Sequence, residues 1–180
     1  MKVLIVYYSE SGQTEKIAEI FHKVISKKHE SVLKKLSELK IKTLTDYDLV
    51  CIGSPCHSSD LARPIKKFLS KLPENPKFKM IGFFTHSCYT KEDDEKLYEE
   101  WVGKCIPTFT DTANKKNIEF LGHFNCMAAA TPAIEKFIHR KIITDDDEWK
   151  TYLPLLRMKP DDQDLDNARN FVGKIMEKLG

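Results

Sequence analysis

The stretch Ser9-Glu10-Ser11-Gly12-Gln13-Thr14 decides how this sequence is interpreted, because it joins a short apolar run to an amphipathic segment. The run before it, Val3-Leu4-Ile5-Val6-Tyr7-Tyr8, is continuously apolar, as expected for a parallel strand covered on both faces. After Gly12, a helix is predicted as far as Lys28, because apolar residues recur at helical spacing: Ile17, Ala18, Phe21, Val24 and Ile25. A strand, a hydroxyl-rich turn and a helix N-terminus in this order form a site for a phosphate group.

The residue types of this loop narrow the kind of phosphate compound. Gly12 permits close approach of the backbone, and the hydroxyls of Ser9, Ser11 and Thr14 are donors for phosphate oxygens. The loop lacks the lysine of a Walker A motif and the three glycines of a dinucleotide fingerprint. We therefore expect a phosphate monoester held by neutral donors. The alternative is an ordinary strand-to-helix turn in which Ser11 caps the helix.

Composition and charge indicate a globular protein. With 180 residues, 41% of them hydrophobic, the chain is long enough to bury a core, and we expect a single domain over residues 1–180. The net charge of +2 comes from lysines spread along the chain, so we expect no nucleic-acid partner. No apolar run approaches about 18 residues, so we expect no membrane insertion. The five cysteines form no CxxC pair and their number is odd, which favours a reducing, cytoplasmic location.

The rest of the chain alternates between strand and helix patterns. Four more strands are predicted at 31–36, 48–52, 79–85 and 118–124, the second of them ending at a Gly-Ser-Pro stop and the charged first one lying at a sheet edge. Further helices are predicted at 63–69, around 97–102 behind an acidic start and before Pro107, around 132–140, and from Pro160-Asp161-Asp162 to the C-terminus. Residues 126–160 are otherwise the least informative part, and a lid or a partner-facing excursion is expected there.

This alternation predicts an α/β fold with a doubly wound parallel sheet. Ligands of such sheets bind beyond the carboxyl ends of the strands, where the strand order reverses. Three loops follow predicted strands closely enough to qualify: 9–14, 54–60 and 85–90.

Several of these segments together resemble the flavodoxin family. The resemblance rests on Val3 to Thr14, on Tyr47 to Pro55 and on Pro64-Ile65-Lys66-Lys67-Phe68-Leu69, and it extends to the last helix from Pro160 through Phe171. It covers most of the chain except 104–117 and 126–158. The first loop is the most specific part of it.

The resemblance implies a flavodoxin-like sandwich, with a five-stranded parallel sheet in the order 2-1-3-4-5, helices on both faces and noncovalently bound FMN. The phosphate would lie on the first loop, which matches at Ser9, Ser11, Gly12, Gln13 and Thr14. The isoalloxazine ring would lie between the other two loops, which match at Ser54, Pro55, Cys56, His57, Ser58, Thr85, His86, Ser87, Cys88 and Tyr89.

The resemblance implies an electron carrier that shuttles electrons between redox partner proteins, with no catalytic residue of its own. One alternative is an FMN-dependent NAD(P)H reductase for a quinone, a flavin or another small acceptor, and another is a binding module without redox turnover. Two departures from the family pattern bear on the choice between these functions. The segment Ser54 to Ala62 has no glycine to flip a peptide toward the flavin, and the chain is slightly basic in a commonly acidic family, although acidic clusters at 92–100 and 161–166 could form a docking face.

Some loop residues admit more than one role. Tyr89 either stacks on the ring or is a partly buried loop tyrosine, and His57 either contacts the flavin by stacking or hydrogen bonding or is solvated. Cys56, Cys88 and Cys126 all follow strands and are expected to converge, as a thiol–flavin relay, as metal ligands with a histidine, or as small hydrophobic residues. Their spacing matches no zinc pattern, so we predict no metal site. Cys51 lies within a strand and is expected in the core.

Overall fold

The computed structural model describes the whole chain, from Met1 to Gly180. Five parallel strands form the main sheet in the order β2-β1-β3-β5-β6. They are β1 (Lys2–Tyr7), β2 (Glu30–Lys35), β3 (Leu49–His57), β5 (Lys79–His86) and β6 (Phe120–Met127). A two-residue strand, β4 (Asp60–Leu61), pairs antiparallel with the end of β3. Counted without β4, the order is the predicted 2-1-3-4-5, and the predicted fold class is confirmed.

Seven α-helices pack on the two faces of the sheet or beside its end. They are α1 (Gln13–Ile25), α2 (Arg63–Leu69), α3 (Glu95–Trp101), α4 (Cys105–Lys116), α5 (Pro132–Lys141), α6 (Asp146–Arg157) and α7 (Asp162–Leu179). One apolar cluster lies between the sheet and α1 with α7, and a second lies between the sheet and α2 with α4. A third, smaller cluster joins α5 and α6. None of the helices combines the length and the apolar character needed to cross a bilayer.

The apolar run of β1 divides its side chains between the two larger clusters. Val3 and Ile5 face the cluster with α1 and α7, Leu4 and Val6 face the other, and all four are fully buried. This alternation is what a strand covered on both faces requires. The charged strand β2 lies at the sheet edge, as predicted, and none of its residues is fully buried.

Gly53 and Gly173 provide a matched pair of alanine substitutions. A Cβ at Gly53 would lie 2.2 Å from the ring of Phe83, which is itself fully buried, whereas a Cβ at Gly173 in α7 meets nothing within 4 Å. We expect Gly53→Ala to lower the free energy of unfolding by about 1–3 kcal/mol through overpacking. We expect Gly173→Ala to raise it by up to about 1 kcal/mol because glycine is a poor helix former. Urea denaturation measures both, and a similar effect at the two positions would contradict the packing around Gly53.

Two predicted boundaries were wrong, each at a proline. The strand expected to stop at Gly53-Ser54-Pro55 continues to His57, because Pro55 accepts a hydrogen bond from Ala62 N at 3.1 Å in the β3–β4 hairpin. Pro107 does not end or kink the preceding helix, which already ends at Trp101. It lies instead in the first turn of α4, where a missing N–H removes no helical hydrogen bond.

The segment that was hardest to interpret, 126–160, is largely helical. The helix expected around 132–140 is confirmed as α5, and α6 was not predicted. The acidic run there has a local function, because the carboxylate of Asp145 caps α6 by accepting from Asp147 N and Glu148 N. The last helix begins as predicted, with Asp161 as its N-cap.

Candidate functional site

A cleft of about 520 Å³ opens at the carboxyl ends of β1, β3 and β5, where the three predicted loops meet. Its volume is in the range typical of small-molecule sites. Twelve of the fifteen predicted site residues line it: Ser9, Ser11, Gln13, Thr14, Pro55, Cys56, His57, Ser58, Thr85, His86, Ser87 and Cys88. Three predicted residues, Gly12, Ser54 and Tyr89, are not part of its lining.

The loop 9–14 ends in a helix N-terminus that no side chain caps. Gly12 is the N-cap of α1 with a φ of 83°, a left-handed conformation that favours glycine, and a Cβ there would meet nothing within 4 Å. The requirement for glycine is therefore conformational. Because Ser11 makes no capping hydrogen bond, the alternative of an ordinary Ser11 cap is excluded, and the N–H groups of the first turn remain as donors.

Two buried polar atoms in the same loop lack a hydrogen-bond partner within the chain: Ser9 Oγ and Gln13 Oε1. A buried polar group without a partner costs free energy unless a ligand or water satisfies it. A serine hydroxyl can donate to a phosphate oxygen directly. Gln13 can do so through its NH₂ group, since the oxygen and nitrogen of an amide are assigned from their hydrogen bonds and not observed.

Beside the loop 9–14, a pair of threonine hydroxyls lines the cleft. Thr14 Oγ1 and Thr85 Oγ1 are 2.9 Å apart, and both side chains are buried. When Thr85 donates to Thr14, the hydroxyl hydrogen of Thr14 remains free to donate to a ligand. No lysine or arginine lines the cleft. Together with Ser9 and the helix N-terminus, the donor set fits a phosphate monoester held by neutral groups.

The β3–β4 hairpin forms one side of the cleft and places two serines in an unusual conformation. Ser58 and Ser59 have φ values of 51° and 65°, the left-handed region that hairpin turns usually fill with asparagine and glycine. Such residues store strain of about 1–3 kcal/mol each and cluster at functional sites. Ser54 braces the hairpin from within, since its Oγ donates to Pro55 O and accepts from Ala62 N at 2.8 and 2.9 Å. The predicted contact of Ser54 with a ligand stays a prediction, and in the structure its hydroxyl braces the hairpin.

A contact between side chains crosses the mouth of the cleft from the hairpin to the loop 9–14. His57 Nε2 lies 3.4 Å from Glu10 Oε2, and the hydroxyl of Tyr8 donates to Glu10 Oε1 at 2.6 Å. His57 is 42% exposed and Glu10 58% exposed. The imidazole thus faces a carboxylate on the phosphate-end loop at the rim of the cleft.

His86 forms a buried polar network at the base of the cleft. Its Nδ1 lies 3.1 Å from Cys88 O and its Nε2 lies 3.3 Å from Asn125 Oδ1, which also accepts from Tyr98 OH. Burial lowers the pKa of His86 from 6.5 to about 4, because desolvation of the imidazolium outweighs these hydrogen bonds. His86 is therefore neutral near pH 7 and presents one N–H donor.

Tyr89 lies away from the cleft. Its hydroxyl donates to Glu148 Oε1 at 2.7 Å, and its ring packs edge-on against Tyr152 with centroids 4.7 Å apart. The prediction that Tyr89 stacks on the ligand is not supported, because this side chain anchors α6 to the loop after β5. The aromatic rings that line the cleft are Trp101 and Phe137, which contact each other edge-on at 5.7 Å.

A further wall of the cleft comes from α5 and the residues on either side of it, none of which was among the predicted site residues. It consists of Ala128, Ala129, Ala130, Thr131, Ile134, Phe137, Ile138 and Ile142. The sequence predicted a helix around 132–140 and a lid or partner-facing excursion within 126–160, but not which of these residues would line the cleft. A bidentate ion pair ties α5 to α6, with Arg157 donating to both carboxylate oxygens of Glu135 at 2.8 and 2.7 Å. These hydrogen bonds hold the pKa of Glu135 below its ordinary value.

The cysteines converge differently from the prediction. Cys56 and Cys88 belong to the same apolar cluster, but the third member is Cys105, at the start of α4. Cys126 packs on the opposite face of the sheet, with α1 and α7, and Cys51 is in the core as predicted. No group of three or more histidine, cysteine or acidic residues is arranged to hold a metal ion.

Comparison with known proteins agrees with this fold. A family model described as a flavodoxin domain matches residues 4–127. An uncharacterized protein of Methanocaldococcus jannaschii is 26% identical over 98% of this chain and 99% of its own length. Among solved structures, oxidised flavodoxin 2 from Bacillus cereus aligns with a TM-score of 0.65 and 19% identity, and a flavodoxin from the domain Archaea with 0.62 and 17%, each covering 99% of both chains. On the extent of the family match, this chain belongs to the flavodoxin family.

Proposed function

We propose that this chain binds FMN noncovalently in the cleft and transfers electrons between redox partner proteins. The observation that carries the proposal is the buried, unpartnered hydroxyl of Ser9 beside the uncapped N-terminus of α1. A phosphate monoester satisfies both, because a helix N-terminus and a free hydroxyl donate to the same kind of anion. FMN is the phosphate monoester that the flavodoxin fold implies.

Different residues would bind the two parts of FMN, at the two ends of the cleft. Ser9, Gln13, Thr14 and the first turn of α1 would hold the phosphate. The hairpin and the loop after β5 would hold the ring, while His86, neutral and hydrogen-bonded within the protein to Cys88 O and Asn125 Oδ1, would brace the base of the cleft. The bound flavin would supply the redox chemistry, while these groups orient it and limit access of water.

A second candidate function is reduction of a small apolar acceptor by an FMN-dependent NAD(P)H reductase. The wall formed by α5 favours it, because Ile134, Phe137 and Trp101 extend the cleft with apolar surface beyond the hydroxyl-lined phosphate end. Ile134 is 47% exposed and Phe137 37% exposed, so this surface is accessible from solvent. A small acceptor bound there would lie beside the ring.

An anaerobic titration tests and separates these functions. Purified protein is mixed with FMN, freed of unbound flavin and reduced in steps under argon while the visible spectrum is recorded. The carrier predicts retained flavin, slow reduction by NADPH and an accumulating half-reduced spectrum. Rapid bleaching by NADPH supports the reductase instead. Failure to retain any flavin contradicts both and leaves the alternative of a binding module without redox turnover.

The partners and location of the protein are also proposals. The acidic cluster at 92–100 is partly neutralised, since Lys91 pairs with Glu95 and Glu99 at 3.3 and 3.0 Å. Lys159 pairs in the same way with Asp161 and Asp164 at 2.8 and 3.0 Å. We therefore propose that redox partners dock at the open side of the cleft and that charge contributes less than in an acidic flavodoxin. The five free thiols fit the proposed cytoplasmic location.

A further inference from the structure

The outer side of α5 carries three cations and no carboxylate. After Pro132, the exposed residues of this helix are Ala133, Ile134, Lys136, Phe137, Arg140 and Lys141. At 3.6 residues per turn, these positions span about 160° of the helix circumference and so form one continuous side. The single acidic residue of α5, Glu135, is buried on the opposite side, where it pairs with Arg157. We call the exposed side the basic side of α5.

The three cations of this side have no partner within the chain. The ion pairs of α5 use Glu135 and His139 instead. In the acidic run that follows the helix, Asp145 caps α6, Asp146 pairs with His139 at 3.0 Å, and Asp147 pairs with a lysine of its own helix at 2.8 Å. Because these carboxylates have local partners, the positive charge of the basic side is available to another molecule.

Two large apolar side chains lie among these cations at the edge of the cleft. Ile134 and Phe137 line the cleft and are also exposed to solvent. Around the helix, Phe137 falls between Arg140 and Lys141. Aromatic residues and arginine are enriched where proteins contact each other. A helix that lies on a membrane instead separates its apolar face from its charged face. The interleaved pattern therefore favours a protein partner over a lipid surface.

We propose that the basic side of α5 is the docking surface for a small electron-transfer protein with an acidic surface. The proposal rests on the electron-carrier function proposed above and adds the chemistry of the partner. Carboxylates of the partner pair with Lys136, Arg140 and Lys141, and its apolar centre covers Ile134 and Phe137 beside the cleft. Complementary charge of this kind raises the association rate and selects among partners.

The test titrates the isotope-labelled full-length chain with an acidic plant-type ferredoxin at low ionic strength. The paramagnetic iron–sulfur cluster broadens the amide signals of residues that it approaches. We expect broadening along α5 and the adjoining rim of the cleft, and its loss as salt is added. A basic c-type cytochrome, the probe of opposite charge, should leave the signals of α5 unchanged. No broadening by the ferredoxin, or broadening only at other elements, would overturn the proposal.

Two double charge reversals form a matched pair of variants. Lys136→Glu with Arg140→Glu and Lys174→Glu with Lys178→Glu change the net charge equally, each at exposed positions four residues apart on one helix. We expect the first pair, on α5, to weaken ferredoxin binding at least about tenfold, and the second, on α7, to change it less than about twofold. Equal losses would show that only net charge matters and would contradict docking at α5.

A second matched pair tests the apolar part of the surface. Ile134 is 47% exposed and lines the cleft, whereas Leu155 of α6 is 51% exposed and does not line it. Ile134→Ser should weaken ferredoxin binding, and Leu155→Ser should leave it unchanged. Equal effects of the two substitutions would contradict docking at the edge of the cleft.

Two further measurements separate this surface from a lipid site and from FMN binding. Sedimentation with vesicles of anionic phospholipid gives the lipid result: binding to vesicles without docking of the ferredoxin would assign α5 to a membrane surface and overturn the proposal. The titration is carried out without flavin and repeated after FMN is added. Docking by a chain that retains no FMN supports this surface while contradicting the carrier function, and retained FMN without docking overturns the surface alone.

Discussion

We expect the variant Ser9→Ala to bind FMN about 10- to 100-fold more weakly than the wild-type chain, from the loss of one hydrogen bond to a charged oxygen. Ser9 Oγ is buried and has no partner within the protein, so its hydroxyl is available to the phosphate at no cost to another contact. Quenching of flavin fluorescence during titration gives the dissociation constants of both proteins.

Riboflavin provides the control for this prediction, because it carries the same ring without the phosphate. Ser9→Ala should leave riboflavin affinity unchanged, and Ser26→Ala, at an exposed serine at the end of α1, should leave FMN affinity unchanged. An equal loss of affinity for FMN and riboflavin in Ser9→Ala would contradict the proposal that this loop binds the phosphate.

The wild-type protein should lose stability on the order of 3 kcal/mol between pH 6.5 and pH 4, through His86 alone. Burial lowers the pKa of His86 to about 4, whereas in the unfolded chain it returns to about 6.5. Within that window the unfolded chain binds the proton and the folded protein does not. The free energy of unfolding therefore falls as the pH falls through 6.5 and stops falling, as far as His86 is concerned, below about 4.

Urea denaturation at closely spaced pH values measures this slope. The variant His86→Gln removes the titrating group while keeping one amide donor and one acceptor near Asn125. We expect it to be less stable than the wild type near pH 7 but to show a flatter pH profile between pH 6.5 and 4. Parallel profiles for the two proteins would show that His86 is not desolvated in the folded state.

The sequence predicted the part of the site that is local along the chain. A strand, a hydroxyl-rich turn and a helix N-terminus follow one another within residues 2–14, and few alternatives satisfy so short a connection, so Ser9, Gly12 and Thr14 come together predictably. The strand order depends on longer contacts, and it was implied only by the resemblance of 3–14 and 47–55 to a known family.

The rest of the site depends on contacts that no local pattern records. The wall of α5 lies over the cleft because Glu135 pairs with Arg157 of α6 and Tyr89 with Glu148, across 22 and 59 residues of sequence. No sequence pattern indicated that these residues would pair. Of the two roles left open for Tyr89, the contacts with Tyr152 and Glu148 favour the partly buried loop tyrosine, since an aromatic loop residue packs on whichever neighbour the fold supplies.

The wrong prediction that Cys126 lies near Cys56 and Cys88 has a different physical cause. Residues an even number apart in a strand share a face, yet Phe120 packs on the α4 side of the sheet and Cys126 on the α7 side. The register between β5 and β6 shifts between Met80 and Gly82, and Gly122 adopts a φ of 127°. This bulge reverses the alternation, so every later side chain of β6 changes face. Cys126 is thereby removed from Cys56 and Cys88, and Cys105 takes its place.

The contact between Glu10 and His57 is the weakest part of the rim of the cleft. Both side chains are about half exposed, so their interaction contributes at most about 1 kcal/mol and breaks on the timescale of side-chain rotation. It joins the loop 9–14 to the β3–β4 hairpin, both of which line the cleft. If FMN binds as proposed, its passage at this point would need rotation of two surface side chains and no opening of the sheet, and we would expect its residence time to depend mainly on its own contacts in the cleft.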